Sequence, residues 1–316
     1  MNRFGHGRVD WIAPRLRYEG VFQSVCHSFA RAVGAGLLLL LAVNTQAQNL
    51  FEADYGSYNI YEFTPNGGSS TFAYRPGWLE GLAFNSAGDL FVGSVYYTYE
   101  FTPGGVQSTF SFVFGSKVYG LAFDSAGNLF EADQYSDYIR EFTPGGVQSI
   151  FASGLSEPTG LAFNSAGNLF VSDQGSGNIY QFTPSGSRTT FATGLYQPWG
   201  LAFNGAGNLF EADGSGNIYE FTPNGGSSTF ASGLSRPNEL AFNSAGNLFV
   251  ADGPSGNIYE YTPNGASSTF ASGLSNPTGL AFQPIPEPST WLMVGLGIIA
   301  LLGLRSRRLH PRSFVP

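Results

Sequence analysis

Between Asn49 and Phe282 short apolar runs alternate with clusters of Gly, Ser, Asn and Pro, and the alternation itself repeats. From Gly160 to Leu195 the apolar runs read GLAF, NLFVSD, NIYQFT and TTFATGL, separated by NSAG, QGSG and PSGSR. Runs of this length, rich in Phe, Tyr, Ile and Val and closed by turn residues, predict strands. No part of this region carries the 3.6-residue apolar period that a helix needs.

The phrase recurs along the chain. NLF or DLF starts at Asn49, Asp89, Asn128, Asn168, Asn208 and Asn247, and FTP or YTP at Phe63, Phe101, Phe142, Phe182, Phe221 and Tyr261. Four short strands per ~40 residues predict one blade of a β-propeller. The first copy lacks its GLAF run, and the last, at Gly279 to Phe282, supplies only that run. The expectation is therefore an all-β, six-bladed β-propeller of four-stranded antiparallel blades, closed by pairing of the N- and C-terminal strands. Phenylalanine carries the core: of 29 in the chain, 23 stand at four positions of the repeat, one per strand. Burying each one is worth ~2–3 kcal/mol before entropy is counted.

The phrases GLAF, GNLF, VAD and NIYxF resemble the NHL repeat and the related gluconolactonase/regucalcin-like propellers, over Asn49 to Phe282. The Gly-His and Trp-Asp pairs of WD repeats are absent from this region.

Both ends read as addresses. Arginines precede the apolar run Ala32 to Val43, and Thr45-Gln46-Ala47 follows it, so residues 1–47 are expected to be a secretory signal peptide recognised by signal peptidase. Residues 48–284 form the propeller region and 285–316 the C-terminal segment. That segment carries Pro286-Glu287-Pro288, an apolar run from Trp291 to Leu304, and then Arg305, Arg307 and Arg308. It resembles the PEP-CTERM sorting signal of Gram-negative bacteria. The resemblance implies a short transmembrane helix that anchors the chain transiently, processing by exosortase-type machinery, and delivery to the outer surface or exopolysaccharide matrix.

Charge narrows the partners. From Gln48 to Pro288 five Lys/Arg stand against twenty Asp/Glu, a net charge of −15. Such a surface repels nucleic acid, and no basic stripe exists to follow a phosphate backbone. The single cysteine forms no internal disulfide.

Candidate chemistry lies where the copies differ. The position before each Leu-Ala-Phe strand's conserved pair is Glu80, Tyr119, Thr159, Trp199, Asn238 and Thr278, set in otherwise near-identical surroundings. Divergence there is what a ligand-facing channel mouth would show, and what an unconstrained loop would show. Exposed Tyr119 and Trp199 would suit stacking on sugars of an exopolysaccharide. The gluconolactonase resemblance implies a divalent metal (Ca or Zn) at this mouth, for which Glu80, Asn238 and Glu239 are the available ligands. The matching Asp is missing, with Thr159 and Thr278 in its stead. No His lies between His27 and His310, which excludes the His-dependent chemistry of streptogramin B lyase in this region.

Two further sets recur. Asp54, Asp133, Asp173, Asp213 and Asp252 close the second strand, and turn-capping explains them better than calcium, which needs six to eight oxygens. Glu52, Glu131 and Glu211 alternate with Val92, Val171 and Val250 after the LF pair. They read either as an axial carboxylate ring or, preferably, as a solvated edge or hydrogen-bonded slot. The leading expectation is a non-enzymatic surface-sorted binding or matrix protein, with no cofactor and with an exopolysaccharide or surface protein as partner. A metal-dependent lactonase-type hydrolase is the alternative.

Overall fold

The computed structural model describes residues 48–75 and 77–285. The expected signal peptide and the sorting segment with its Pro-Glu-Pro and arginine cluster lie outside the described residues.

Among the described residues all but one of the regular elements are strands. The first repeat contributes β1 (Leu50–Asp54), β2 (Asn59–Phe63) and β3 (Ser69–Tyr74). β4 (Leu79–Phe84), the long β5 (Leu90–Phe101) and the longer β6 (Gln107–Phe123) follow, then β7 (Leu129–Asp133), β8 (Tyr138–Phe142) and β9 (Gln148–Ala152). Next come β10 (Pro158–Phe163), β11 (Leu169–Asp173), β12 (Asn178–Phe182) and β13 (Arg188–Thr193). They are succeeded by β14 (Pro198–Phe203), β15 (Leu209–Asp213), β16 (Asn217–Phe221) and β17 (Ser227–Ala231). The last are β18 (Pro237–Phe242), β19 (Leu248–Asp252), β20 (Asn257–Tyr261), β21 (Ser267–Ala271) and β22 (Pro277–Phe282).

These strands make a propeller-like arrangement of five antiparallel sheets, four of four strands and one of six. The expected six-bladed architecture, and with it the six-bladed family likeness, is corrected. The cause lies in the second repeat, where Ser94-Val95-Tyr96-Tyr97 replaces the Asp-led Gly/Ser turn. The strand runs on, Val95 pairs with Lys117, and one continuous β6 serves β5 with its first half and β7 with its second. Two repeats thereby share the sheet β4-β5-β6-β7-β8-β9. The closure is corrected too. β22 pairs antiparallel with β1, Leu50 opposite Phe282 and Glu52 opposite Leu280. This completes an open four-stranded sheet, β22-β1-β2-β3, and no sheet closes on itself.

Aromatic packing between repeats is nearly invariant. The NLF phenylalanine meets its own outer-strand Phe and the LAF Phe of the next repeat edge-on, as Phe51 does with Phe72 and Phe84, both at 5.1 Å. Phe249 does the same with Phe270 and Phe282, both at 5.0 Å. Edge-to-face rings add about 0.5–1.5 kcal/mol per pair beyond burial.

The recurring aspartates are structural. Asp54 accepts from the amides of Gly56 and Ser57 in its own turn and from Ser275 across the terminal pairing, at 2.7–3.0 Å. Asp173 likewise takes Ser176 and Ser156, and Asp213 takes Ser215 and Tyr196. Asp54→Ala should therefore lower the unfolding free energy by about 2–4 kcal/mol, because it strands several amides at once. A urea titration that shows a change under 1 kcal/mol would contradict this reading.

The transmembrane helix expected over Trp291 to Leu304 lies outside the described residues. Among the described residues no helix is long and apolar enough to cross a membrane, so nothing described supports the expected helical anchor or the transiently anchored location drawn from it.

Candidate functional site

Antiparallel order sorts the loops to two faces. Innermost strands start, and second strands end, at one face, while the Asn-Ser-Ala-Gly and Thr-Pro-x-Gly turns lie at the other. The innermost strands touch in chain order, and β22 lies against β4. The spacing is set by glycine: a Cβ on Gly120 would stand 2.1 Å from the Thr159 carbonyl oxygen, and one on Gly279 2.2 Å from that of Glu80.

The six expected mouth residues divide in two. Thr159, Asn238 and Thr278 are buried staples between neighbouring innermost strands. Thr159 Oγ1 donates to the Pro198 carbonyl at 2.9 Å, Asn238 Nδ2 to that of Pro277 at 3.0 Å, and Thr278 Oγ1 to that of Leu79 at 3.0 Å. Their variation between copies is a choice among small donors.

Glu80, Tyr119 and Trp199 converge instead on a polar-aromatic cluster. Tyr119 and Trp199 meet over Thr159 with ring centres 5.0 Å apart. Tyr119 is buried and Trp199 half-buried, so this pair fills the mouth; the exposed stacking surface expected of it is not there. The Lys117 Nζ stands 3.0 Å from Glu80 Oε1 and 5.2 Å from the Tyr119 ring centre. Arg236, exposed at the rim, places its guanidinium 5.9 Å from the Trp199 ring centre.

Burial dominates the electrostatics. It pushes the Glu80 carboxyl up to about 7, against the pull of Lys117 and then Arg236. Glu239, half-buried over Gly200 and accepting only from the Leu240 amide, is pushed up to about 8. Burial, then Glu80 and Glu239, raise the Tyr119 phenol.

The exposed aromatics of this face are others. Tyr55 stacks on Trp78 at 6.0 Å, and Tyr135 stands 6.0 Å from the Lys117 ammonium. Trp78 and Tyr135 are 45% and 58% exposed, enough to receive a ligand. The sequence reading missed Tyr55, Trp78, Lys117, Tyr135 and Arg236. The signal was present, since the positions just before each innermost strand and just after each Asp vary between copies as well.

The residues put forward as metal ligands each have a protein partner. Glu80 already holds a lysine, the Asn238 amide bridges to β22, and Glu239 turns back on its own strand. Among the described residues no three His, Cys, Asp or Glu side chains converge as a cation site.

Glu52, Glu131 and Glu211 line neither a channel nor a solvated edge. All are fully buried between neighbouring repeats. Glu131 Oε1 accepts from Thr98 Oγ1 at 2.6 Å, whereas both oxygens of Glu52 and of Glu211 lack a partner.

A cleft of about 520 Å³ opens on the opposite face between the second and third repeats, lined by Asn85, Glu100, Thr109, Thr143 and Gly146, none of them a candidate above.

Comparison with known proteins bears on the fold and the address. The PEP-CTERM protein-sorting motif matches residues 284–308. The motif supports sorting to the surface or exterior and implies association with exosortase-type sorting machinery. No curated protein matches the sequence. A chain of a nidogen/laminin complex superposes with a TM-score of 0.69 at 20% identity, over 75% of this chain and 99% of that one. A catalytically inactive virginiamycin B lyase from Staphylococcus aureus with quinupristin gives 0.59 at 16% identity, over 72% and 86%. A structure named as a provisional gluconolactonase gives 0.60 at 19%, over 73% and 88%. At these identities the likeness is one of fold.

Proposed function

We propose that this chain is a surface-sorted binding protein, not an enzyme, that takes its ligand at the rim formed by Tyr55, Trp78, Lys117, Tyr135 and Arg236. One observation carries the reading: in a chain of near-copies, residues that differ between copies gather on one face, and there they are aromatic and cationic. Exposed planar rings favour the apolar faces of sugars. Lys117 and Arg236, two of the five cations between Gln48 and Pro288, favour carboxylates. An extracellular polysaccharide with carboxylates spaced between apolar sugar faces combines both chemistries, because the rim cations draw it locally against the acidity of the domain as a whole, and it suits the sorting motif.

The test is retention of the full chain on immobilised alginate and on neutral cellulose oligosaccharides. The account expects retention on alginate, weakened at least about tenfold by Trp78→Ala and by Lys117→Ala, since a stacked ring or a charge pair is worth ~1.4 kcal/mol or more. No retention on either material, or retention indifferent to both variants, contradicts it. Lactone hydrolysis that requires added Ca²⁺ or Zn²⁺ and disappears in Glu80→Gln would install the hydrolase reading in its place.

A further inference from the structure

The second repeat departs from the rest at its outer edge. In four other copies the outer-strand Phe is followed by Ala, Ser or Thr, and then a glycine, at 154, 194, 233 and 273. Those glycines sit at φ between +67° and +85° and turn the chain off the edge, so that the outer strands end at Ala152, Thr193, Ala231 and Ala271. In the second copy Phe112-Val113-Phe114 occupies that place, and the strand continues through Gly115 to Phe123.

The result is a longer outer edge than the other repeats carry, with exposed phenylalanines at its end. Gln107 to Phe114 reads QSTFSFVF, with no charge and no proline, and no charged residue stands between Glu100 and Lys117. Residues 107–112 pair with β5 on one side. Among the described residues their other side has no backbone partner. Phe112 and Phe114 are 56% and 83% exposed, and Tyr96 stacks on Phe114 at 5.5 Å. Proteins ordinarily blunt such edges by shortening them, charging them or placing proline there. This one is left open.

The geometry points to pairing of this edge, antiparallel, with the same edge of a second copy of this chain. An open row of amides and carbonyls asks for a strand. Two copies of an acidic domain meet most readily where no carboxylates face each other, and this edge, free of charge from Phe101 to Ser116, is such a place. Antiparallel pairing of a strand with itself satisfies a two-fold axis, because each residue's partner on one copy is repeated on the other. It would also gather Tyr96, Tyr97, Phe112 and Phe114 of both copies into one aromatic face.

Sedimentation of the full chain over a concentration series tests this, with the double variant Thr109→Lys and Phe114→Lys beside it. Both positions are exposed, and lysine at an edge is a natural block. The expected result is a monomer–dimer equilibrium weakened at least a hundredfold in the variant, with an unchanged circular dichroism spectrum. A wild-type chain that stays monomeric overturns the proposal, including one whose edge instead binds saccharide or detergent; so does a dimer that persists in the variant. Should the variant misfold, amide exchange of wild-type 107–114 decides: protection that rises with protein concentration supports pairing, and concentration-independent exchange refutes it.

Discussion

Replacing Glu52 and Glu211 together by valine should stabilise the protein by about 2–6 kcal/mol, since each unpartnered buried polar group costs about 1–3 kcal/mol. Melting would rise by roughly 5–20 °C for a domain of this size. The fold supplies the template, because Val92, Val171 and Val250 fill the equivalent slot in alternate repeats with no exposure at all. Glu52 shares its face with Leu50 and Leu280, packed on Phe249, Ala251 and Ile258. Glu211 lies opposite Leu201, which packs with Leu209 against Phe170 and Ile179. Burial raises both carboxyls well above the usual value of 4.5 and the neighbouring Asp54 or Asp213 adds to it, while the nearby backbone of Thr278 or Trp199, outside good hydrogen-bond geometry, pulls the other way. Their stabilising contribution is thus complete below about pH 4.5, where folded and unfolded chains are both protonated. It is lost as pH rises towards the native values, because the unfolded chain gives up protons that the folded one keeps. Wild-type stability should fall from acid to neutral pH, and the double variant should flatten that slope. Glu131→Val should gain less, since it leaves the Thr98 hydroxyl without its acceptor. A destabilised double variant, or an unchanged slope, would show that these carboxyls are solvated.

The second large effect runs the other way. Gly160→Ala should cost about 3 kcal/mol or more, because its Cβ would stand 2.2 Å from the Trp199 carbonyl oxygen, which belongs to a packed backbone that cannot swing aside. Gly81 and Gly120 face the same obstacle. The sixth repeat provides the control: Glu239 stands at this position, so Glu239→Ala should leave stability within about 1 kcal/mol of wild type. Chemical denaturation of the two variants side by side checks both halves. A Gly160→Ala protein of wild-type stability would mean that the innermost strands are less tightly set than described.

Strand positions were legible because the Phe and turn positions recur at one period, and the aspartates because a lone carboxylate before Gly and Ser caps its own turn. The sheet count was not. It depends on the absence of a break, and Val95 to Tyr97 and Phe112 to Phe114 read as ordinary variation until Val95 is seen to pair with Lys117. The mouth was half legible. Variation at one repeat position located Glu80, Tyr119 and Trp199, but it also gathered Thr159, Asn238 and Thr278, whose hydroxyls and amide reach sideways to the next strand. Which way a side chain turns at such a position depends on its neighbour across the seam, and the period carries no record of that. Of the buried glutamates, Glu131 sits in a hydrogen-bonded slot as expected, whereas Glu52 and Glu211 were misread for the same reason, since alternation along a strand fixes a face without saying what covers it.

The most direct test of the proposed binding face is amide hydrogen exchange of the full chain with and without bound alginate oligosaccharide. Protection should appear in residues 77–80, 115–119, 134–137 and 235–239, which carry Trp78, Glu80, Lys117, Tyr135 and Arg236. Protection confined to residues 85–88 and 143–146, around the cleft on the opposite face, would contradict the account.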